Sequence, residues 1–550
     1  MIRTEITQLI EKAVKKAQKK GDLPKFEIPK ITLDRPKNPD HGDYATPLAL
    51  GLARYARMAP VTIAERIVKR LEQPPYLGEV TVAHPGFINI RLAEGWLAQQ
   101  VETILAEAGE FGRVNLGRGK NVQVEFISAN PTGPLTIGSG RNAVLGDTLA
   151  NVLHAAGYQV QREYYVNDVG TQVDNLGKAM YARYAQALGQ VEPDPEEYQG
   201  QYLVEMGQAA AQELGDAWLK ADRDEALTFM RQEALKQIIA GLKEDTALID
   251  VHFDRWFSEQ SLYDDDTYGL AFNKLSAKNM IVERDGAVWL QGDNDDDKEN
   301  VIVRSDGRPT YFASDIAYVW DKLVKRGFEW AIYVWGADHH GHVQRLKNAA
   351  KALGLDPEKV TIILYQLVTL TRDGVPVRQS KRTGDFITVR EVVEEIGADA
   401  FRFMLLTRAA DSQMELDLTL AAQQSSENPV YYVQYGHARI ASIFRKAEDE
   451  GASPAGGDVS LLTHPAELEL IRQMLRLREM VAHCTEHLAP HPLTYYAQDL
   501  ATSFHAFYRD CRVVSEDTAL TAARLKLVQA AKITLANTLR LMGMSTPERM

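Results

Sequence analysis

NVQVEFISANPTGPLTIGSGRNAVLGDTLANVLHAAG, Asn121 to Gly157, changes character twice within one short run. NVQVEFIS (Asn121 to Ser128) reads as a buried strand, because Val122, Val124, Phe126 and Ile127 are apolar and β-prone. Pro131, Gly133 and Pro134 then force the chain off that line. From about Ser139 to Ala156 the apolar residues fall at helical spacing, and REYYVND (Arg162 to Asp168) supplies a second strand. Strand, turn, helix and strand in that order predict a doubly wound parallel sheet, an α/β fold.

Outward from this opening the alternation breaks and resumes. Helical, alanine-rich sequence from about Leu176 to Ile249 is followed by the acidic DNDDDKE run. Then come strand VIVRS (Val301 to Ser305), a helix around YFASDIAYVWDKLVKRG and strand WAIYVWG (Trp330 to Gly336). Helix VQRLKNAAKALG and strand VTIILYQLVTL (Val360 to Leu370) complete it. The reading is an α/β unit over 118–420 with an insertion at about 176–300. Residues 1–112 mix helices with short strands such as GFINIRL, and FGRVNLGRGK (Phe111 to Lys120) reads as a linker. From 423 to 550 the periodicity is helical throughout.

The chain of 550 residues is too long for one core, and 45% hydrophobic with 25% charged residues excludes a disordered or fibrous class. No apolar run is long enough to cross a membrane. Two cysteines, Cys484 and Cys511, cannot build a disulfide framework or a four-thiolate zinc site. Between Val191 and Asn300, 26 Asp and Glu face 10 Lys and Arg. The net charge of −13 therefore sits in the insertion, and the remainder is slightly positive with a lysine-rich N-terminus. That distribution is compatible with a polyanionic partner and equally with a solvated helix face.

Four segments carry candidate chemistry. Gly138 and Gly140 open the helix after the turn, where orphan amides and the helix dipole favour phosphate; tight strand–helix packing would use the same glycines. GVPVRQSKRTGDF (Gly374 to Phe386) gathers Arg378, Lys381 and Arg382 around Ser380, fit to clamp polyphosphate or merely to be solvated. Tyr311 and Asp315 lie four apart on one helix face, as a pocket pair or a packing pair. WGADHHGHVQ places Asp338, His339, His340 and His342 at a strand end; with no distant Cys or His cluster to complete a metal site, a ribose contact is the alternative.

In this order the pieces resemble arginyl-tRNA synthetases, a family of class I aminoacyl-tRNA synthetases, over essentially the whole chain. The resembling segments are HGDYATPLAL, GFINIRL, EFISANPTGPLTIGSGRNA, YYVNDVGTQ, SDGRPTYFASDIAY, WGADHHGHVQRL, RQSKR with TGDF, ENPVYYVQYGHARI and MGMSTPERM. The resemblance implies a Rossmann-type catalytic core with an inserted helical segment. It also implies an α+β N-terminal domain touching the tRNA elbow and an all-α anticodon-binding C-terminal domain. Its implied reaction is attack of the arginine carboxylate on the α-phosphate of ATP, release of pyrophosphate, and transfer of arginyl to the 3′ end of tRNA(Arg). Mg²⁺ would be chelated by ATP, with no structural metal, in a cytoplasmic, membrane-free monomer.

By the same resemblance the signature motif is Ala129, Asn130, Pro131, Thr132, Gly133, Pro134, Leu135, Thr136, Ile137, Gly138 and Ser139. Thr136, Gly138, Ser139, Gly140, Gly336, Asp338, His339 and Lys381 would bind ATP, with Arg378, Ser380 and Lys381 catalytic. Ser128, Asn130, Tyr311 and Asp315 would bind arginine, and Tyr431, Tyr435, His437 and Arg439 would contact tRNA. Two departures stand out: Thr136 and Ser139 occupy positions where the family's signature normally has histidines, and the lysine loop reads Arg378-Gln379-Ser380-Lys381-Arg382. A small-molecule nucleotidyltransferase and a non-catalytic RNA-binding paralogue remain open as other readings.

Overall fold

A computed structural model describes residues 1–291, 300–377 and 386–550. Helix Ile2–Lys19 buries Ile6, Leu9, Ile10, Ala13, Val14 and Ala17 along one stripe and leaves its lysines on the other. It belongs to an α+β unit whose antiparallel sheet has Phe87–Leu92 between Tyr44–Thr46 and Leu77–Ala83.

The central sheet has five strands, all parallel, in the order Val360–Tyr365, Trp330–Gly336, Asn121–Glu125, Gln159–Val166, Arg255–Ser258. The chain winds to one side of Asn121–Glu125 first and to the other side later. Its carboxyl end therefore faces Trp330–Gly336 across the point where winding reverses, where α/β sheets open a ligand crevice.

Four details depart from the sequence reading. The edge strand Arg255–Ser258 comes from within the stretch read as inserted; it is only four residues long and offers no periodicity. VIVRS supplies Val301–Val303 to a separate antiparallel sheet with Ile281–Arg284 and Ala287–Leu290, not to the central one. VTIILYQLVTL breaks at Gln366: Val360–Tyr365 ends the central sheet, and Val368–Arg372 pairs with Met414–Asp417 elsewhere. The supposed linker is packed as well, with Phe111 2% exposed and the amides of Val114 and Leu116 bonded to Ala155 O and Ala156 O, both at 2.9 Å.

Helices Pro429–Asp449, Pro465–His487, Pro492–Asp510 and Thr518–Leu541 form the C-terminal part. The N-terminal unit docks on them through Arg472–Asp43 (2.7 Å), Lys526–Glu102 (2.5 Å) and Arg35–Glu479 (2.9 Å). Among the described residues no helix is long and apolar enough to cross a membrane.

Candidate active site and RNA-facing groove

The signature turn leaves the sheet with two non-glycine residues in left-handed conformation, Ile127 (φ 67°) and Ser128 (φ 44°). Such backbone costs free energy and persists only where its surroundings hold it. Asn142, one turn into helix Ile137–Ala155, accepts the Ile127 amide at 2.8 Å and donates to Val334 O at 2.9 Å, joining the two strands that flank the crevice. Ser128 Oγ donates to Glu125 Oε1 (3.0 Å) and accepts the Tyr165 amide (3.2 Å). Arg141, wholly buried, donates to Gln366 O, Ala409 O and Ser412 O at 2.5–2.9 Å.

The helix start divides the glycine candidates. At Gly138 an added Cβ would meet only Thr136 Oγ1, at 3.9 Å, so the residue borders open space. Thr136 is the N-cap, and its hydroxyl makes no capping bond. Ser139 is half-buried beside them. Gly140 differs from the expectation: a Cβ there would lie 2.6 Å from Phe401, and its amide donates to Thr136 O at 3.0 Å. Its missing side chain leaves room for close packing against helix Ala398–Leu406. Of the rest of the motif, Pro131 and Leu135 are buried and Asn130 is exposed at the mouth beside Asn167. Thr132 O accepts the Tyr202 hydroxyl, and Gly133 lies against the Tyr202 ring, so the inserted helix Gln201–Leu214 braces the loop.

Across the crevice, helix Tyr311–Trp320 continues into a π turn, Asp321–Lys325. Tyr311, Asp315, Tyr318 and Lys322 recur every three or four residues and so share one face. Tyr311 is 53% exposed. The Asp315 side chain keeps 35% of its surface, with Arg345 Nη2 3.9 Å from its carboxylate. Desolvation, reinforced by Glu259 and Glu125 and opposed by Arg345 and Lys322, pushes its pKa up to about 7. Glu259 is also raised, chiefly by burial, against hydrogen bonds from Ser314 and Tyr165. Among the described residues three carboxylates, Asp315, Glu259 and Glu125, share this region with two cations, Arg345 and Lys322, an arrangement that suits a positively charged guest.

Glu125, Glu259, Lys322 and Arg345 were not anticipated from sequence. A signal existed for the first: in NVQVE, Gln123 and Glu125 alternate with Val122 and Val124, an unusual polar face for a central parallel strand. At the neighbouring strand end a Cβ on Gly336 would fall 2.3 Å from Asp338 Oδ1. The Asp338 and His339 side chains are 82% and 52% exposed at the crevice, and the His339 and His342 rings lie 5.5 Å apart. Among the described residues no three His, Cys, Asp or Glu groups converge as a metal cage. Arg378, Ser380 and Lys381 lie outside the described residues.

On helix Pro429–Asp449, Tyr431 and Tyr435 stack with centroids 6.0 Å apart, and Arg439 sits between the rings of Tyr435 (5.0 Å) and Tyr508 (4.9 Å). A groove of about 650 Å³ beside them is lined by Arg439, Arg445, Lys446, Arg509 and Arg512. His437 is not part of that surface. It is 2% exposed, its Nδ1 is 2.9 Å from Pro547 O, and burial lowers its pKa.

Comparisons with known proteins agree along the whole length. Residues 4–92 match the arginyl-tRNA synthetase N-terminal domain, 100–417 the catalytic domain of class I tRNA synthetases (R), and 433–550 the DALR anticodon-binding domain. The chain is 48% identical to an arginine–tRNA ligase of Dehalococcoides mccartyi over 100% of this chain and 99% of that protein. It is 45% identical to the arginine–tRNA ligase of Heliobacterium modesticaldum over 100% and 99%. The arginyl-tRNA synthetase structure from Thermus thermophilus, 24% identical, shares the fold with a TM-score of 0.78 and complete coverage of both chains. Family models over nearly the whole length and relatives at 45–48% identity agree with the fold, and the chain belongs to the arginyl-tRNA synthetase family.

Proposed function

We infer that this chain is an arginine–tRNA ligase, which activates L-arginine with ATP to arginyl-adenylate and then transfers arginyl to the 3′ end of tRNA(Arg). The observation that carries the specificity is Asp315 with Tyr311 on one helix face, beside a cluster that among the described residues holds three carboxylates and two cations. A planar five-donor guanidinium matches a carboxylate that can accept two parallel bonds, which lysine and neutral citrulline cannot supply.

In the first step the arginine carboxylate oxygen attacks the α-phosphorus and the bond to pyrophosphate breaks. In the second, a hydroxyl of the terminal adenosine attacks the adenylate's carbonyl carbon and AMP leaves. Neither step needs a covalent enzyme intermediate, so positioning and charge stabilisation carry the rate. Gly138, Ser139 and Thr136 would receive the phosphates, Gly336, Asp338 and His339 the adenosine, and Ser128 and Asn130 the α-groups of arginine. Lys381 and Arg378, with Ser380, would meet charge on the leaving pyrophosphate. Mg²⁺ would arrive chelated by ATP, as part of the substrate.

The stacked Tyr431 and Tyr435 and the Arg439 groove support tRNA binding by the C-terminal part, since splayed bases stack on aromatic and guanidinium planes. By family resemblance the enzyme would act as a cytoplasmic monomer. Arginine-dependent exchange of pyrophosphate into ATP, with and without tRNA, tests the reading. Exchange driven by another amino acid, or none in either condition, would refute it.

A further inference from the structure

Behind the pocket the sheet carries a row of polar groups on one face. Tyr333, Glu125, Glu163 and Arg255 are register neighbours on four consecutive strands. Glu163 is served by Gln123 Nε2 (2.7 Å), Tyr318 OH (2.5 Å) and Arg326. Glu125, nearest the crevice, has one dedicated cation, Lys322, whose Nζ donates to Oε2 at 2.5 Å. Lys322 has no exposed surface, and its ammonium lies 3.9 Å and 3.6 Å from the centroids of the Tyr318 and Tyr333 rings. Two aromatic faces and one carboxylate thus fix a long, flexible side chain in a single place.

We propose that Lys322 is a positioning residue of the amino-acid site, touching no substrate and holding the Glu125 carboxylate in the orientation that receives a cationic group of arginine. The proposal rests on the arginine pocket inferred above. A buried ion pair is weak evidence for stability, because well-packed apolar groups often replace it without loss. What this pair does accomplish is local. Its second oxygen, Oε1, accepts Ser128 Oγ at 3.0 Å, so the carboxylate is pinned from both ends at the strand terminus that opens on Asp315. The surroundings are also incompletely satisfied: among the described residues the buried Tyr333 hydroxyl has no hydrogen-bond partner, as expected of a polar wall awaiting a guest. Without the ammonium, Glu125 would lose one of the two side-chain partners that set its orientation at the strand end.

The test uses the full chain, with exchange kinetics in arginine and in ATP, for Lys322→Met, Glu125→Gln, Asp315→Asn and the Lys322→Met, Glu125→Gln pair. Expected is a KM for arginine raised about tenfold or more in Lys322→Met, with the KM for ATP changed by less than about twofold. On the Glu125→Gln background the same substitution should add less than about twofold, because the carboxylate it serves is already gone. An arginine KM unmoved by Lys322→Met, both KM values rising alike, or an equal factor with and without the Glu125 carboxylate would overturn the proposal. Should Lys322→Met not accumulate as folded protein, Lys322→Gln is read in the same two backgrounds by the same thresholds. Asp315→Asn impaired with Lys322→Met indifferent sinks only the role of Lys322. Asp315→Asn and Glu125→Gln both indifferent sinks the pocket and this proposal together.

Discussion

Asp315 is the residue on which pH should act. Its raised pKa means that in the empty pocket the carboxyl is largely neutral below about pH 7, while a guanidinium guest requires the ionised form. For a carboxyl the sign is definite. The folded state prefers the protonated form, so this group favours folding below its ordinary value near 3.8 and loses that contribution as pH rises toward 7. Bound arginine restores it. The expected result is an arginine-induced rise in melting temperature that is larger at pH 8 than at pH 6. The KM for arginine should worsen up to about tenfold per unit below pH 7, and Asp315→Asn should flatten the profile. In that variant the arginine KM itself should rise far more than about threefold, on account of the lost charged partner. Ser139 and Thr136 pose a second question at this scale, since hydroxyls replace imidazoles beside Gly138. Ser139→Ala should raise the barrier by about 1–2 kcal/mol, as for one neutral hydrogen bond. Lys381→Ala should lower kcat more than it raises the ATP KM. Restoring histidines at positions 136 and 139 together should gain little; a large gain in exchange rate would show that the hydroxyls handicap the native site.

Helix Ile137–Ala155 shows how much one element can organise. Asn142 and Arg141 fasten the crevice strands and their loops, and Gly140 admits Phe401 of helix Ala398–Leu406. Gly140→Ala should therefore behave as an overpacking change of about 1–3 kcal/mol, seen as a lower melting temperature rather than as a selective rise in the ATP KM. This helix and its strand were legible because Val, Ile and Phe give way abruptly to Pro and Gly, a change that local sequence records. Strand Arg255–Ser258 was not, since four residues after a long helix carry too little pattern. Gly140 could be read two ways because a glycine that admits a ligand and one that admits a phenylalanine look alike until the neighbour is known. Tyr311 and Asp315 were visible through their spacing on one helix. The pairing of Glu125 with Lys322 was not, because they are 197 positions apart and only the packing of helix on sheet brings them together. His437 misled for the same reason: its segment is aromatic and basic, but its own face of the helix turns inward.

At the scale of the molecule the three parts are joined by buried polar ties. Asp43, 8% exposed, meets Arg472 at 2.7 Å, and Asn537 Nδ2 donates to Ala108 O and Phe111 O, both at 2.9 Å. An Asp43→Ala, Arg472→Ala cycle should return a coupling of about 1–3 kcal/mol in thermal unfolding, because the pair is largely withdrawn from solvent; a coupling near zero would mark it as incidental. The densest knot is Arg402. Wholly buried, its guanidinium donates to Asp147 Oδ2 (2.5 Å) on the signature helix, to Ile249 O (2.6 Å) and to Met542 O (2.6 Å). Asp399, on the same short helix, accepts the Ser545 amide at 2.9 Å. The signature turn, Asp315 and the Gly336–His339 strand end all precede position 402, yet the last acceptor for Arg402 emerges from the ribosome 140 residues later. A nascent chain lacking that acceptor holds a buried guanidinium with an unmet donor, so the catalytic part should remain loose until the C-terminal helices have been made. Chains stopped after Leu541 should accordingly be cut by protease within the signature helix region, while chains extended through Ser545 resist.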